Sequence, residues 1–233
     1  MSEPTPILLV PGLACSPRLY AEQLPALWRF GPVMMADHTR DDSMAGIARR
    51  ILAEAPPHFA LAGLSMGGYI SMEILRQAPE RVLRLALLDT TARPETSEQS
   101  ERRLSQIALA EGGRFGEAVD QLFPLYVHAD RQADQALRGL VDIMAAEVGP
   151  AAFVRQQTAI MNRPDSRVDL PKIACPTLVL VGDGDALTPP DRAEEIAGLI
   201  PGARLVVVPN CGHLSTLEQP PAVTAALEAW LQA

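Results

Sequence analysis

Short apolar runs alternate along this chain with stretches whose apolar residues recur at helical spacing. Ile7-Leu-Leu-Val10 is an unbroken apolar run closed by Pro11-Gly12, the pattern of a strand covered on both faces. Further strands are predicted over 33–36, 59–62, 82–88, 175–181 and 203–208, most of them too apolar to leave one face in water. Between them, Met44, Ile47, Ala48, Ile51 and Leu52 fall on one helical face, with Ser43 or Asp42 as N-cap and Pro56-Pro57 as the stop. Helices are also predicted over 18–28, breaking near Pro25, over 69–77, and over 222–231 with Val223, Leu227, Trp230 and Leu231 on one face. Thr188-Pro-Pro-Asp191 opens another, with the threonine as cap and proline in the first turn. Strands alternating with helices specify a parallel, doubly wound sheet, here of about six strands.

The alternation stops between Thr90 and about Asp169. Four helical patterns follow one another there; the clearest places Leu137, Leu140, Val141, Met144 and Ala145 on one face, and Phe153, Val154, Gln157, Ile160 and Met161 mark the next. An all-helical insertion in such a chain is expected to lie over the edge of the sheet where strand-end loops carry function. The expected division is a core of residues 1–90 and 170–233 with a cap of residues 91–169. No internal repeat or low-complexity segment interrupts this plan.

One strand-to-helix junction carries Gly63-Leu64-Ser65-Met66-Gly67, a G-x-S-x-G pattern that sets a serine on a sharp turn. Small residues are needed two positions to either side of a backbone held in so strained a conformation. A serine hydroxyl is a weak nucleophile and needs a base within hydrogen-bond reach, itself held by a carboxylate. His213 follows the last predicted strand, and Asp183 and Asp185 follow the one before it. In a parallel sheet all these ends share one edge with Ser65. A further acid, Asp89, ends the strand after the serine's helix; each of the three aspartates has a turn-forming role as its alternative.

The chain resembles the α/β-hydrolase superfamily over almost its whole length. The motifs that carry the likeness are Leu9-Val-Pro-Gly-Leu13, Gly63-Leu-Ser-Met-Gly-Gly68, Leu180-Val-Gly-Asp-Gly-Asp185 and Cys211-Gly-His213. Within the superfamily it is similar to small carboxylesterases and 3-oxoadipate enol-lactonases. The resemblance implies Ser65 as nucleophile, His213 as general base and then acid, and Asp185 as the carboxylate that holds the imidazole. It implies backbone N–H groups of Leu13 and Met66 as the oxyanion donors, although Pro11-Gly12 stands where relatives usually carry His-Gly. No cofactor is implied.

Composition narrows the setting without changing this picture. The chain of 233 residues is 48% hydrophobic and 21% charged, an ordinary globular balance. A net charge of −8 with no block of Lys or Arg argues against nucleic acid or an anionic membrane as partner. Cys15, Cys175 and Cys211 are odd in number and widely spaced, which fits a reducing cytoplasm better than a disulfide framework or a zinc site. The N-terminus lacks the basic region of a signal peptide, and no apolar run reaches the roughly 20 residues of a membrane span. Four histidines without H-x-x-x-H spacing argue against a metal. Of these, His38 is expected to bond loop backbone, and His58 and His128 to be exposed; Arg163 and Arg167 are expected in salt bridges, and Cys15 as a buried thiol.

The function expected is hydrolysis of a small to medium carboxylic ester, with Phe153, Met144 and Met161 as candidate apolar contacts for the substrate. Rivals on the same motifs are enol-lactone or C–C bond hydrolysis, perhydrolysis, and ligand binding on a catalytically silent hydrolase fold. Arginines pointing into the cleft would favour an acidic lactone.

Overall fold

The computed structural model describes residues 4–233. Six strands form one all-parallel sheet: β1 (Ile7–Val10), β2 (Val33–Met35), β3 (Phe59–Leu64), β4 (Val82–Leu88), β5 (Thr177–Gly182) and β6 (Arg204–Val208), in the spatial order β2-β1-β3-β4-β5-β6. Every residue of β1, β3 and β5 is buried, whereas the edge strands β2 and β6 are partly open, which is why the central strands read as continuous apolar runs.

The crossover helices are α1 (Leu24–Leu27), α2 (Met44–Glu54), α3 (Met66–Gln77) and α8 (Pro190–Leu199), and α9 (Ser215–Glu218) and α10 (Pro220–Gln232) close the chain. The chain steps one way from β1 to β2 and the other way afterwards, so right-handed crossovers put α1 on one face and α2, α3 and α8 on the opposite one. Contacts agree: α2 packs on α3, and α10 packs beside α1. The reversal of direction leaves a crevice at the carboxyl ends of β1 and β3, the position where doubly wound sheets bind ligands. Between β4 and β5 lie α4 (Ser97–Glu111), α5 (Phe115–Tyr126), α6 (Gln135–Val148) and α7 (Pro150–Met161), the four helices expected of the insertion, packed on one another.

Three local expectations need correction. Residues 18–28 are not one helix: a 3-10 turn at Pro17–Tyr20, capped by the Ser16 side chain, is followed by the short α1, with Pro25 in its first turn. The helix after the serine begins at Met66 rather than Tyr69, because the turn completes within a single residue. Thr188 does not cap α8, which starts at Pro190 behind Pro189; the threonine hydroxyl is drawn instead to Asp185.

Two close backbone approaches decide where Ser65 stands. Its φ of 56° and ψ of −115° lie in a region L-residues rarely occupy. A Cβ on Gly67 would lie 2.0 Å from the Val10 carbonyl oxygen, and one on Gly63 would lie 2.2 Å from the Gly67 carbonyl oxygen. The first turn of α3 therefore rests directly on β1. Ser65 N–H is tied to the Leu88 carbonyl at 2.9 Å and its own carbonyl accepts from Thr90 Oγ1 at 2.8 Å. Gly67→Ala is expected to lower stability by at least about 2 kcal/mol, because the clash is with backbone that cannot rotate away. Gly139, inside α6 with nothing within 4 Å of its added Cβ, serves as the contrast. Gly139→Ala should raise stability by about 0.5–1 kcal/mol. Urea midpoints of the two variants check both signs.

Candidate active site

The loops that follow β3, β5 and β6 bring three side chains into one hydrogen-bonded row. His213 Nε2 is 2.8 Å from Ser65 Oγ, and His213 Nδ1 is 2.8 Å from Asp185 Oδ2. Both His213 and Asp185 are buried. Asp185 is held by its own loop: Oδ1 accepts from Leu187 and Thr188 N–H at 2.8 and 2.9 Å, and Oδ2 accepts from Thr188 Oγ1 at 2.7 Å. Burial alone would depress the His213 pKa, but the charge of Asp185 and its hydrogen bond outweigh it and shift the imidazole upward. Burial likewise opposes ionisation of Asp185, and the imidazole and then the two donors of Thr188 overcome it, holding the carboxyl below its usual range.

The other acids do different work. Asp183 Oδ1 accepts from Cys211 N–H at 3.1 Å, so it ties the two loops together. Asp89 is fully buried, accepting from Gly182 N–H at 3.0 Å and from the Ser215 hydroxyl. Burial, and then the neighbouring Asp185 charge, push its pKa well up, which favours a neutral Asp89 behind the ionised Asp185. Glu218 bridges Gly212 N–H at 2.9 Å and His128 N–H at 2.8 Å, fixing the turn before His213. That turn is tight: a Cβ on Gly212 would lie 2.3 Å from His128 N, and one on Gly182 would lie 2.3 Å from the Gly212 carbonyl oxygen. His128 is consequently half-buried rather than exposed; His58 is exposed as expected.

The loop after β1 adjoins Ser65, where the Cα hydrogen of Gly12 points: a Cβ there would sit 3.4 Å from Ser65 Cβ. The Gly12 carbonyl is held from two sides, by His38 Nε2 at 2.9 Å and by Cys15 N–H at 3.2 Å. Because a peptide is planar and trans, fixing that oxygen also fixes the direction of the Leu13 N–H on the same amide. Burial pushes His38 below its ordinary pKa, which favours the neutral ring, and the bond to a carbonyl requires the proton on Nε2. Tyr126 at the end of α5 donates to the Leu13 carbonyl at 3.0 Å and stacks on His213, ring centroids 5.9 Å apart at 18°. Gln156 of α7 accepts from Ala14 N–H at 3.1 Å, and the Ser16 hydroxyl donates to Glu147 of α6 at 2.6 Å. Met66 opens α3, so its N–H has no acceptor within the helix.

A cleft of about 130 Å³ reaches Ser65 and His213, with Leu13, Tyr69, Tyr126, Leu122 and Ile160 on its walls. Phe153 and Met144, expected to touch a substrate, are instead in the core, where Phe153 packs on Phe115 with centroids 5.1 Å apart; Met161 does not line the cleft either. Arg163 pairs with Glu95 and Arg167 with Asp165. Sequence reasoning missed Tyr126, Thr188 and Glu218; only Thr188, three residues beyond Asp185 in a turn, carried a local signal. Among the described residues, no group of three or more His, Cys, Asp or Glu is placed to hold a metal ion.

A serine on a sharp strand-to-helix turn at the carboxyl edge of a parallel sheet is the arrangement of the α/β hydrolase fold. A model of the α/β hydrolase fold matches residues 10–220, and the chain belongs to that family of hydrolases. A curated relative, the pimeloyl-acyl-carrier-protein methyl ester esterase of Nitrosomonas europaea, is 27% identical over 221 residues, covering 89% of this chain and 87% of its own. Among solved structures, a malate-bound thermophilic esterase from Thermogutta terrifontis superimposes with a TM-score of 0.89 at 29% identity, covering 98% of this chain and 89% of its own. The enol-lactonase of Burkholderia xenovorans LB400 also gives 0.89, over 100% and 93% of the two chains, but at 22% identity it shares the fold alone. No helix among the described residues is long and apolar enough to cross a membrane.

Two outcomes follow for the site. Activity that needs a neutral His213 should rise with pH through an apparent pKa above the ordinary imidazole value of about 6.5. Asp185→Asn removes the largest upward influences on the imidazole, so the inflection should fall relative to that of the parent while kcat drops about 10⁴-fold; the kcat/KM pH profile reads both. His38→Ala frees the Gly12–Leu13 peptide and should lower kcat about tenfold with little change in KM, and His38→Gln, which keeps a donor, should recover part of the loss. Steady-state kinetics with p-nitrophenyl acetate distinguish these outcomes.

Proposed function

We propose that this protein hydrolyses a small carboxylic ester through an acyl-enzyme on Ser65. The observation that carries the reading is the row from Ser65 Oγ to His213 Nε2 and from His213 Nδ1 to Asp185, each contact at 2.8 Å. His213 takes the Ser65 proton as Oγ attacks the ester carbon, and Asp185 stabilises the imidazolium that results. Leu13 and Met66 N–H groups receive the oxyanion, and His213 returns the proton to the leaving alcohol. Water then enters, His213 deprotonates it, and a second tetrahedral species collapses to release the acid and restore Ser65. In this reading residues 91–169 act as a cap on the core formed by residues 1–90 and 170–233.

The cleft of about 130 Å³ favours a short acyl group, since an engineered cavity near that size holds about one benzene. The similarity to named esterases supports ester over C–C bond cleavage. Three free cysteines support a reducing compartment, with the cytoplasm as the proposed location. A lactone bearing an acidic group is a second reading, favoured by Arg102 and Arg103 on the cleft wall.

Ser65→Ala should lower turnover of p-nitrophenyl esters about 10⁴-fold or more while leaving the urea midpoint near that of the parent. A fluorophosphonate should label Ser65 and abolish activity in step. Activity retained in the variant, or label on another residue, would sink the mechanism.

A further inference from the structure

The cleft has one wall whose charge does not balance. Gln99, Arg102, Arg103 and Gln106 share one face of α4 and all line the cleft that reaches Ser65. Glu95, which also lines the cleft, is paired with both Arg103, at 2.8 Å, and Arg163. Glu95 and Arg163 have side-chain exposures of 2% and 4%, and Arg103 only 19%. Two guanidinium groups thus share one carboxylate away from bulk water, leaving a net positive charge at the wall. The nearby ions do not cancel it, because Arg93 and Arg167 are engaged with Glu195 and Asp165. Arg163 also lies over the Tyr69 ring at 4.6 Å, which steadies a cation without neutralising it.

Hydrogen-bond chemistry gives the same sign independently. Arg103 only donates, so Gln157 must turn its carbonyl oxygen to it at 2.7 Å; the Gln157 amide nitrogen then faces Gln106 and donates to Oε1 at 2.7 Å. The nitrogen end of Gln106 is left as the uncommitted half of that side chain. Gln99 Oε1 likewise accepts from Thr96 N–H at 3.0 Å, so its amide nitrogen is the uncommitted half there too. Both oxygens of Glu95 are already engaged. The wall therefore offers donors and positive charge to whatever occupies the cleft.

We propose that this α4 wall is a carboxylate-binding subsite, and that the substrate carries a free carboxylate as a half-ester of a short dicarboxylic acid. The carboxylate is received by Arg103 and Arg102 with amide hydrogens of Gln106 and Gln99. This deepens the ester-hydrolase reading and rests on it for the identity of the reacting bond. The uncompensated buried charge gains its counterion only when substrate binds, so the wall selects against neutral esters of the same length.

The test compares matched pairs: monoethyl succinate with ethyl butanoate, monoethyl glutarate with ethyl pentanoate, and monoethyl adipate with ethyl hexanoate. The parent protein should favour the anionic member in kcat/KM by roughly tenfold or more for at least one pair, as expected of a charge-assisted contact. Arg103→Gln should bring that ratio close to one, and Arg103→Lys should keep part of it. Arg102→Gln, at an exposed position outside the buried ion cluster, should lower the ratio without disturbing the fold. A ratio of one or below for every pair, with esters still cleaved, would overturn the subsite and leave the esterase reading standing. A second readout needs no turnover: Ser65→Ala should bind glutarate by calorimetry, and adding Arg103→Gln should weaken that binding about tenfold. Equal affinity of the two chains would overturn the subsite even if the reaction proved not to be ester hydrolysis.

Discussion

The approach of Gly67 to the Val10 carbonyl is the constraint from which the site is built. Because no side chain can stand at Gly67 or Gly63, α3 seats its first turn directly on β1, and the residue between strand and helix is forced to a φ of 56°. A serine there projects from the sheet edge instead of lying along it. The same seating sets Met66 N–H at an open helix start beside the loop that follows β1, since Val10 and Gly63 are paired in register. Ser65 and Met66, one of the proposed oxyanion donors, are thus placed by the sheet, which is the preorganisation that electrostatic catalysis requires.

Around that fixed serine, two buried carboxylates are pushed apart in their ionisation. Asp185 receives two N–H donors, a hydroxyl and the imidazole, and stays charged; Asp89 has fewer donors and a charged neighbour, and is driven toward the neutral form. One negative charge beside His213 raises the basicity of the ring, whereas a second would add a desolvation cost without a partner. Their separation also explains why a strand-end position alone does not decide which acid holds the imidazole: Asp89, Asp183 and Asp185 all lie at that edge, and only Asp185 reaches His213.

Most of the core was legible because its strands are covered on both faces and must be apolar throughout. The meeting of Ser65, Asp185 and His213 was legible because strand ends in a parallel sheet share an edge, so order along the chain stands in for proximity. The cleft wall was not. Whether Phe153 or Arg103 faces Ser65 depends on how α4 to α7 pack on one another, and helical spacing marks an apolar face without saying which partner it meets. Phe153 went to the core and Arg103 to the cleft. Thr188 looked like a helix cap because Pro189 and Pro190 follow it; a deeper hydrogen bond to Asp185 took its hydroxyl instead.

Helices α5, α6 and α7 each send a side chain to the loop after β1, through Tyr126, Glu147 and Gln156. Of these, α5 and α7 also wall the cleft, so two helices that face a substrate hold the loop bearing one proposed oxyanion donor. All of this has catalytic meaning only if Ser65 carries the acyl group. Rapid acid quench of the protein with p-nitrophenyl acetate, followed by peptide mass mapping, reads this directly. One acetyl group per chain on Ser65, formed at the rate of the nitrophenol burst, is the expected result. Acetylation of another residue, or full turnover with no acyl-enzyme and no burst, would contradict it.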